Sequence, residues 1–212
     1  MLDKELVVEM SRASIASGTF SILAISPNSK FMGVAVASGS TSVGDRVPHA
    51  KPGIGVVATQ AYTNIVYGIK GLELLMKDLT PQETLKTLLE GDSERSLRQV
   101  AIMDFKRRKA VFTGANAPEF HAETMGKDYI VVGNLLAKNE VVSNMAEQFE
   151  SSRGDLPWRM VKALKTGSES GGDKRGEKSA ALIIVGEEKV EMEIKVDAYE
   201  NPIEELFRKL KS

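Results

Sequence analysis

The sequence contains no cysteine and only two histidines, His49 and His121, among its 212 residues. The lack of cysteine excludes disulfide bonds, a thiol nucleophile and thiolate metal ligands. Two isolated histidines do not make a His-rich metal site, and neither a Walker motif nor an EF-hand loop occurs. We therefore expect no metal and no obligatory cofactor.

Long apolar runs and an excess of one charge are also missing. No run approaches the roughly 20 apolar residues that span a bilayer, and the segment Met1–Glu5 lacks a signal-peptide core. Twenty-eight basic residues balance 29 acidic ones, and the one basic run, 106–109, lies between two predicted strands. We expect a cytoplasmic protein with no membrane and no nucleic-acid partner.

The length and composition fit one globular domain, because 212 residues with 42% hydrophobic content can bury a substantial core. Before that domain, residues 2–16 form a weakly amphipathic segment with Leu2, Leu6 and Met10 near one side of a predicted helix. Ser17 and Gly18 interrupt it. The chain is therefore divided into an N-terminal extension or possible pro-segment, 1–18, and a single domain, 19–212.

Apolar, β-rich runs predict most of the strands. Residues 19–25 and 31–37 flank a turn and predict a hairpin. These runs are apolar at successive positions rather than alternate ones, so both faces of each strand should be covered. The remaining predicted strands are 55–59, 98–104, 110–113, 129–132, 179–185 and 190–196.

Helices are predicted between these groups of strands. Thr80-Pro81-Gln82-Glu83 combines a capping threonine, a proline at the first helical position and a glutamate that completes a capping box. The predicted helices are 64–77, one that begins at Pro81 and is stopped by Gly91, 138–151, 157–165 and 201–210, and a polar glycine-rich loop is expected at 166–177.

The order of strands, two helices, strands, two helices and strands indicates an α+β fold. Because several strands lack a polar face, we expect two mainly antiparallel sheets packed together, with helices on their outer sides. This is a four-layer αββα sandwich.

Five separated motifs carry a resemblance to a known family: Thr19-Phe20-Ser21-Ile22, then 33–38 (GVAVAS), 55–61 (GVVATQA), 133–135 (GNL), and 171–176 (GGDKRG) followed by 179–182 (SAAL). Together they resemble the DUF1028 family, which is assigned to the N-terminal-nucleophile (Ntn) hydrolase fold. The resemblance covers Thr19 almost to the C-terminus and implies the αββα architecture.

The resemblance also implies a nucleophile. In Ntn hydrolases the N-terminal threonine, serine or cysteine attacks the substrate, and its α-amine, with an ordinary pKa of about 8, acts as the base. Family members often have the threonine directly after the initiator methionine, whereas here residues 1–18 precede Thr19. Two interpretations stay open: self-cleavage of the Gly18–Thr19 bond, or a permanent prefix with Thr19 as an ordinary strand residue.

Further site residues come from the same motifs. Backbone N–H groups at Thr59, Gln60 and Ala61 could stabilise an oxyanion, or form only a strand-ending turn. Asp173 and Arg175 could bind a polar or carboxylated substrate, or lie in a solvated loop.

Asn134 follows a strand and is expected to be a buried hydrogen-bonding residue with a substrate role. Ser38 and Ser40 follow the second strand and could support the nucleophile. Lys51 could lower the pKa of a nearby hydroxyl. His49 and His121 lie in predicted loops without a Ser-His-Asp pattern.

These residues support two main functional hypotheses. The first is hydrolysis of an amide bond in a small metabolite or short peptide, with Thr19 as nucleophile after processing. The second is a non-catalytic ligand-binding or assembly protein in which Thr19 stays blocked. A third places the chemistry at Asp173 and Arg175. A homodimer is the default expectation.

Overall fold

The computed structural model describes residues 18–211, which form ten strands, five α-helices and two short 3-10 turns. The predicted helix at 2–16 lies outside the described residues. The strands are β1 (Thr19–Ile25), β2 (Met32–Ser38), β3 (Pro48–Lys51), β4 (Gly55–Ala61), β5 (Arg98–Asp104), β6 (Lys109–Thr113), β7 (Ala122–Met125), β8 (Tyr129–Asn134), β9 (Ser179–Val185) and β10 (Val190–Val196). The helices are α1 (Ile65–Met76), α2 (Pro81–Glu90), α3 (Glu140–Ser151), α4 (Leu156–Glu169) and α5 (Pro202–Leu210).

The strands form two antiparallel sheets, as the sequence predicted. One sheet has the order β10-β9-β2-β1-β8-β7 and the other has the order β3-β4-β5-β6. β1 therefore lies between β2 and β8 near the middle of the larger sheet, and every residue of β1 is buried. This position fixes the backbone around Thr19 on both sides.

Side chains that alternate along β1 enter two different apolar clusters. Phe20 and Ile22 pack with residues of α3, α4 and α5, whereas Leu23 and Ile25 pack with Val56 and other residues of the smaller sheet. This alternation explains why the strand has no polar face. A third cluster joins α1 and α2 to β4, β5 and β6.

The capping box predicted for α2 is present. The Thr80 hydroxyl accepts a hydrogen bond from the Glu83 N–H at 3.2 Å, and the Glu83 carboxylate accepts one from the Thr80 N–H at 2.8 Å. These two bonds satisfy backbone donors that the first turn leaves without helical partners.

The structure differs from the sequence-based expectations for one helix and two strands. α4 continues to Glu169 instead of ending at residue 165, because buried Gly167 packs beside Met145 and the Thr166 hydroxyl donates to Gln148 at 3.2 Å. The edge strands β3 and β7 were not predicted. Each has only four residues and is stabilised by one neighbouring strand, β4 or β8.

Candidate functional site

A cluster of buried polar side chains occupies one end of the space between the two sheets. Its members are fully buried and come from both sheets; we call them the polar cluster: Thr19, Ser21, Ser38, Gln60, Gln99 and Asn134. Strand alternation places them there, because each lies an even number of residues from an apolar side chain that packs between the sheets. The polar cluster thus continues the apolar core of this space.

The Gly18–Thr19 peptide lies beside Ser38. The Ser38 hydroxyl donates to the Gly18 carbonyl oxygen at 2.6 Å and accepts from the Thr19 hydroxyl at 3.2 Å. It also accepts from the Ser40 N–H at 3.1 Å. A second donor, Nη2 of Arg175, reaches the Gly18 oxygen at 3.3 Å. The carbonyl of this peptide therefore receives two side-chain hydrogen bonds.

Arg175 is held by Asp173 in a two-point ion pair. Nε lies 3.0 Å from Oδ1 and Nη2 lies 2.8 Å from Oδ2. This hydrogen-bonded pair raises the pKa of the Arg175 guanidinium. The Asp173 side chain has no exposed surface, whereas Arg175 keeps about a third of its side-chain surface exposed. The Arg175 guanidinium therefore extends from the buried Gly18–Thr19 peptide to the protein surface.

Two glycines make room for the Asp173 carboxylate. A Cβ atom added to Gly18 would lie 2.5 Å from Asp173 Oδ2, and one added to Gly39 would lie 2.7 Å from the same atom. The Gly39 N–H donates to that oxygen at 2.7 Å. A side chain at either position would collide with the carboxylate, so close approach explains both glycines.

The glycine-rich loop that carries this ion pair is anchored rather than solvated. The Asp173 N–H donates to Glu177 Oε1 at 3.0 Å, and the Ser168 hydroxyl donates to Glu177 Oε2 at 2.9 Å. Gly172 adopts a φ of +56°, which favours glycine at this turn. Glu177 was missed by sequence reasoning, because its role depends on the fold of this loop.

Three side-chain amides connect the two sheets beneath Thr19. Gln60 Nε2 donates to the Thr19 carbonyl at 3.2 Å and to Gln99 Oε1 at 2.7 Å. Gln60 Oε1 accepts from the Ser21 hydroxyl at 2.6 Å. Gln99 Nε2 in turn donates to the Gly133 carbonyl at 3.0 Å. Ser21 and Gln99 were not predicted as site residues; their only signal is a polar residue within a buried strand.

Two backbone carbonyls, one at each end of this hydrogen-bonded chain of side chains, fix the orientation of the amides. Because the carbonyls of Thr19 and Gly133 can only accept, Gln60 and Gln99 must present their nitrogens to them. Oε1 of Gln99 then faces Asn134, so Asn134 must present Nδ2, which donates at 3.1 Å. Asn134 Oδ1 is left buried without a partner in the described part of the chain. It is an acceptor that a donor could satisfy.

Other predicted residues lie outside the polar cluster. Lys51 pairs with Gly55 at the opposite end of β4 from Gln60, so it does not support Thr19. Thr59 faces away from the space between the sheets: its hydroxyl donates to the Asn64 carbonyl at 3.1 Å, and its N–H donates to the Val47 carbonyl at 3.1 Å. The Thr59 amide is thus already engaged.

The end of β4 and the two histidines complete the predicted set. Ala61 adopts a φ of +68°, a left-handed conformation that is uncommon for alanine and ends the strand beside Gln60. His49 lies in β3 instead of a loop, with Nε2 3.2 Å from the Arg46 carbonyl oxygen. His121 is exposed, with Nδ1 3.1 Å from the Pro118 carbonyl oxygen. Neither histidine hydrogen-bonds to the polar cluster.

Across residues 18–211, no three His, Asp or Glu side chains are grouped as a metal site. None of the helices described above is both long enough and apolar enough to cross a membrane.

Comparisons with known proteins agree with the motifs. The structure of protein SPO2555 from Silicibacter pomeroyi, a DUF1028 protein, superposes with a TM-score of 0.86 at 29% identity, covering 92% of this chain and 88% of that chain. Anbu (ancestral beta-subunit) from Yersinia bercovieri gives a TM-score of 0.43 at 11% identity, with coverages of 91% and 93%. No curated protein matches significantly. Residues 19–206 match the family of unknown function DUF1028, and the chain belongs to that family.

Proposed function

We propose that this protein is an Ntn-type hydrolase that cleaves an amide bond in a small metabolite or short peptide, with Thr19 as nucleophile after cleavage of the Gly18–Thr19 bond. One observation carries the proposal: the Ser38 hydroxyl bridges the Thr19 hydroxyl, 3.2 Å away, and the Gly18 carbonyl oxygen, 2.6 Å away. Nucleophile, proton carrier and peptide carbonyl are thereby joined.

This hydrogen-bonded chain supports a balanced cleavage step. Thr19 Oγ1 attacks the Gly18 carbonyl carbon, its proton passes to Ser38, and the Ser38 proton passes to the Gly18 oxygen. Arg175 stabilises the partial negative charge on that oxygen in the transition state, before the proton has fully arrived. In the collapse, the bond from Gly18 carbon to Thr19 nitrogen breaks, the carbonyl forms again, and the proton of the Gly18 hydroxyl passes to the nitrogen. This leaves an ester between Gly18 and Thr19 Oγ1, which water hydrolyses. The products are a Gly18 carboxylate and a Thr19 with free hydroxyl and amine.

The same groups would serve the mature protein. The freed α-amine can take the proton of the Thr19 hydroxyl directly or through water, and Ser38 and Arg175 can donate to the carbonyl of a substrate. Asn134 stands directly opposite Thr19 in the pairing of β1 with β8. Its unpartnered Oδ1 supports a role as acceptor for the α-amine, which it would position.

Packing between elements supports the finer fold assignment. One apolar cluster lies between the six-stranded sheet and α3, α4 and α5, one between the sheets, and one between the four-stranded sheet and α1 and α2. We infer that these contacts correspond to the four-layer αββα sandwich of Ntn hydrolases.

Intact-mass analysis and N-terminal sequencing of the freshly purified full chain test the proposal. We expect a wild-type chain that begins at Thr19, because the Thr19 hydroxyl starts the cleavage. Thr19→Ala should keep the prefix, whereas the matched control Thr87→Ala, at an exposed site on α2, should be cleaved normally. A wild-type chain that retains residues 1–18 would contradict the free-threonine mechanism.

A second candidate is a non-catalytic ligand-binding or assembly protein with the Gly18–Thr19 bond intact. The observation that favours it is the close packing of Gly18 against Asp173, which accounts for glycine at this position without any cleavage. Persistent prefix in the mass measurement would support this candidate. Light scattering would then test the homodimer expected from the sequence.

A further inference from the structure

Gly18 shows how an acyl group sits beside the nucleophile. Its carbonyl accepts from Ser38 and Arg175, the two donors proposed to act on a substrate carbonyl. Residue 18 therefore stands in for the acyl half of an amide substrate, and Thr19 nitrogen stands in for the leaving amine. The space around the Gly18 α-carbon therefore determines which acyl groups fit beside Thr19.

One wall of that space is the Asp173 carboxylate. A Cβ atom in the L configuration at position 18 would lie 2.5 Å from Oδ2, 2.7 Å from Cγ and 2.8 Å from Oδ1. Non-bonded heavy atoms are most stable at about 3.5–4.0 Å, so these separations are strongly repulsive. An α-carbon with only hydrogen in this direction is accommodated.

The wall is held in place by four hydrogen bonds. Asp173 Oδ2 accepts from the Gly39 N–H at 2.7 Å and from Arg175 Nη2 at 2.8 Å. Oδ1 accepts from the Arg175 N–H at 2.9 Å and from Arg175 Nε at 3.0 Å. Moving this buried carboxylate would break these bonds and leave a charge without partners. It therefore resists displacement by an added side chain.

The contact with the Asp173 carboxylate is sufficient to explain glycine at position 18, because an added Cβ atom would lie within 2.8 Å of three atoms of that carboxylate. The restriction belongs to the space beside the scissile carbonyl.

We propose that the acyl site of the mature protein takes glycyl-type acyl groups, which carry two hydrogens on the carbon beside the scissile carbonyl, and rejects L-aminoacyl groups with a side chain. The substrate class is thus N-acylglycyl amides and related α-unsubstituted amides. This assignment rests on the proposed function, because it places the substrate carbonyl where the Gly18 carbonyl lies.

The protein for the test is produced as the full chain, and intact-mass analysis first establishes that it has been processed to begin at Thr19. Processed protein is treated with the p-nitrophenyl esters of N-acetylglycine and N-acetyl-L-alanine, which differ by one methyl group at the restricted position. Rates of acylation are measured by peptide mass spectrometry at Thr19. Each rate is normalised to hydrolysis of the same ester with Thr19→Ala protein, which corrects for intrinsic reactivity.

We expect the glycine ester to acylate Thr19 at least about tenfold faster than the alanine ester, which corresponds to about 1.4 kcal/mol. Rates within threefold of each other would overturn the assignment, and so would processed protein that the glycine ester does not acylate at Thr19. In both cases the processing proposal stands. A chain that keeps residues 1–18 would instead overturn the proposed function and, with it, this assignment.

Discussion

Asn134 donates its side-chain amide to Gln99 Oε1 at 3.1 Å, across the space between the two sheets. Gln99 is satisfied through both ends of its amide, since Nε2 also reaches the carbonyl of Gly133. Asn134 is satisfied at one end only, because Oδ1 has no partner among residues 18–211. The two amides therefore differ in what they contribute to stability.

Replacement of each amide by leucine should separate these contributions. Gln99→Leu leaves several buried donors and acceptors without partners, so we expect the free energy of unfolding to fall by about 2–3 kcal/mol. Asn134→Leu loses one hydrogen bond but removes an unpartnered buried oxygen, so the change should stay within about 1 kcal/mol. Urea denaturation measures both. Equal losses would contradict the assigned orientation of the amides.

Ser38→Ala should slow cleavage of the Gly18–Thr19 bond by about 100-fold, because it removes a donor to the Gly18 carbonyl and the bridge to Thr19. A time course of intact mass after synthesis measures the rate. Ser38→Thr keeps a hydroxyl and should restore part of it, and Ser143→Ala, at an exposed position on α3, is the control. Wild-type cleavage in the folded Ser38→Ala variant would exclude the bridge.

Gly18→Ala tests the contact with Asp173 independently of cleavage when it is combined with Thr19→Ala. Forcing a methyl group to within 2.5 Å of the carboxylate should destabilise the uncut chain by about 1–3 kcal/mol. Gly71→Ala in α1 is the control, because its added Cβ meets Val57 at an ordinary 3.4 Å and alanine favours the helix. Unchanged urea stability of the Gly18 variant would show that the carboxylate yields.

His49 should make stability depend on pH. Burial against α1 lowers the pKa of His49, although its hydrogen bond to the Arg46 carbonyl opposes the shift. Below the ordinary histidine value of about 6.5, the unfolded chain binds a proton more readily than the folded chain. The free energy of unfolding should therefore fall as pH is lowered from 7 toward 5.

Urea titrations at several pH values measure this dependence. His49→Gln should flatten the curve over this interval, and His121→Gln, at an exposed position, is the matched control that should keep the wild-type curve. An identical decline in the His49 variant would assign the effect to another group.

The sequence predicted most of the fold because the strongest signals were local. The capping box at Thr80 and the long apolar runs of β1 and β2 are determined by neighbouring residues. β3 and β7 were missed because a four-residue edge strand with polar positions is stabilised by its partner strand, which residue patterns do not show. The last turn of α4 was missed because a glycine such as Gly167 usually indicates the end of a helix, and its packing inside the fold cannot be seen in the sequence.

Residues that were named from motifs lie close together in the structure, whereas contacts that join distant segments were not predicted. Thr19, Ser38 and the Asp173–Arg175 pair lie together around the Gly18 carbonyl. Lys51 was misplaced, because position in the chain does not show at which end of a strand a residue lies. Gln99 meets Gln60 only through packing of the two sheets, and no local pattern marks it.

The reach of Arg175 to Gly18 spans 157 positions of the chain. During synthesis on a ribosome, the peptide before Thr19 emerges long before the residues that complete its surroundings. Any cleavage that needs Arg175 must therefore wait until the chain is nearly finished and β9 has paired with β2. Loss of the prefix would then mark molecules that have completed folding. The ratio of cut to uncut chains would measure the fraction of molecules that have reached the folded state.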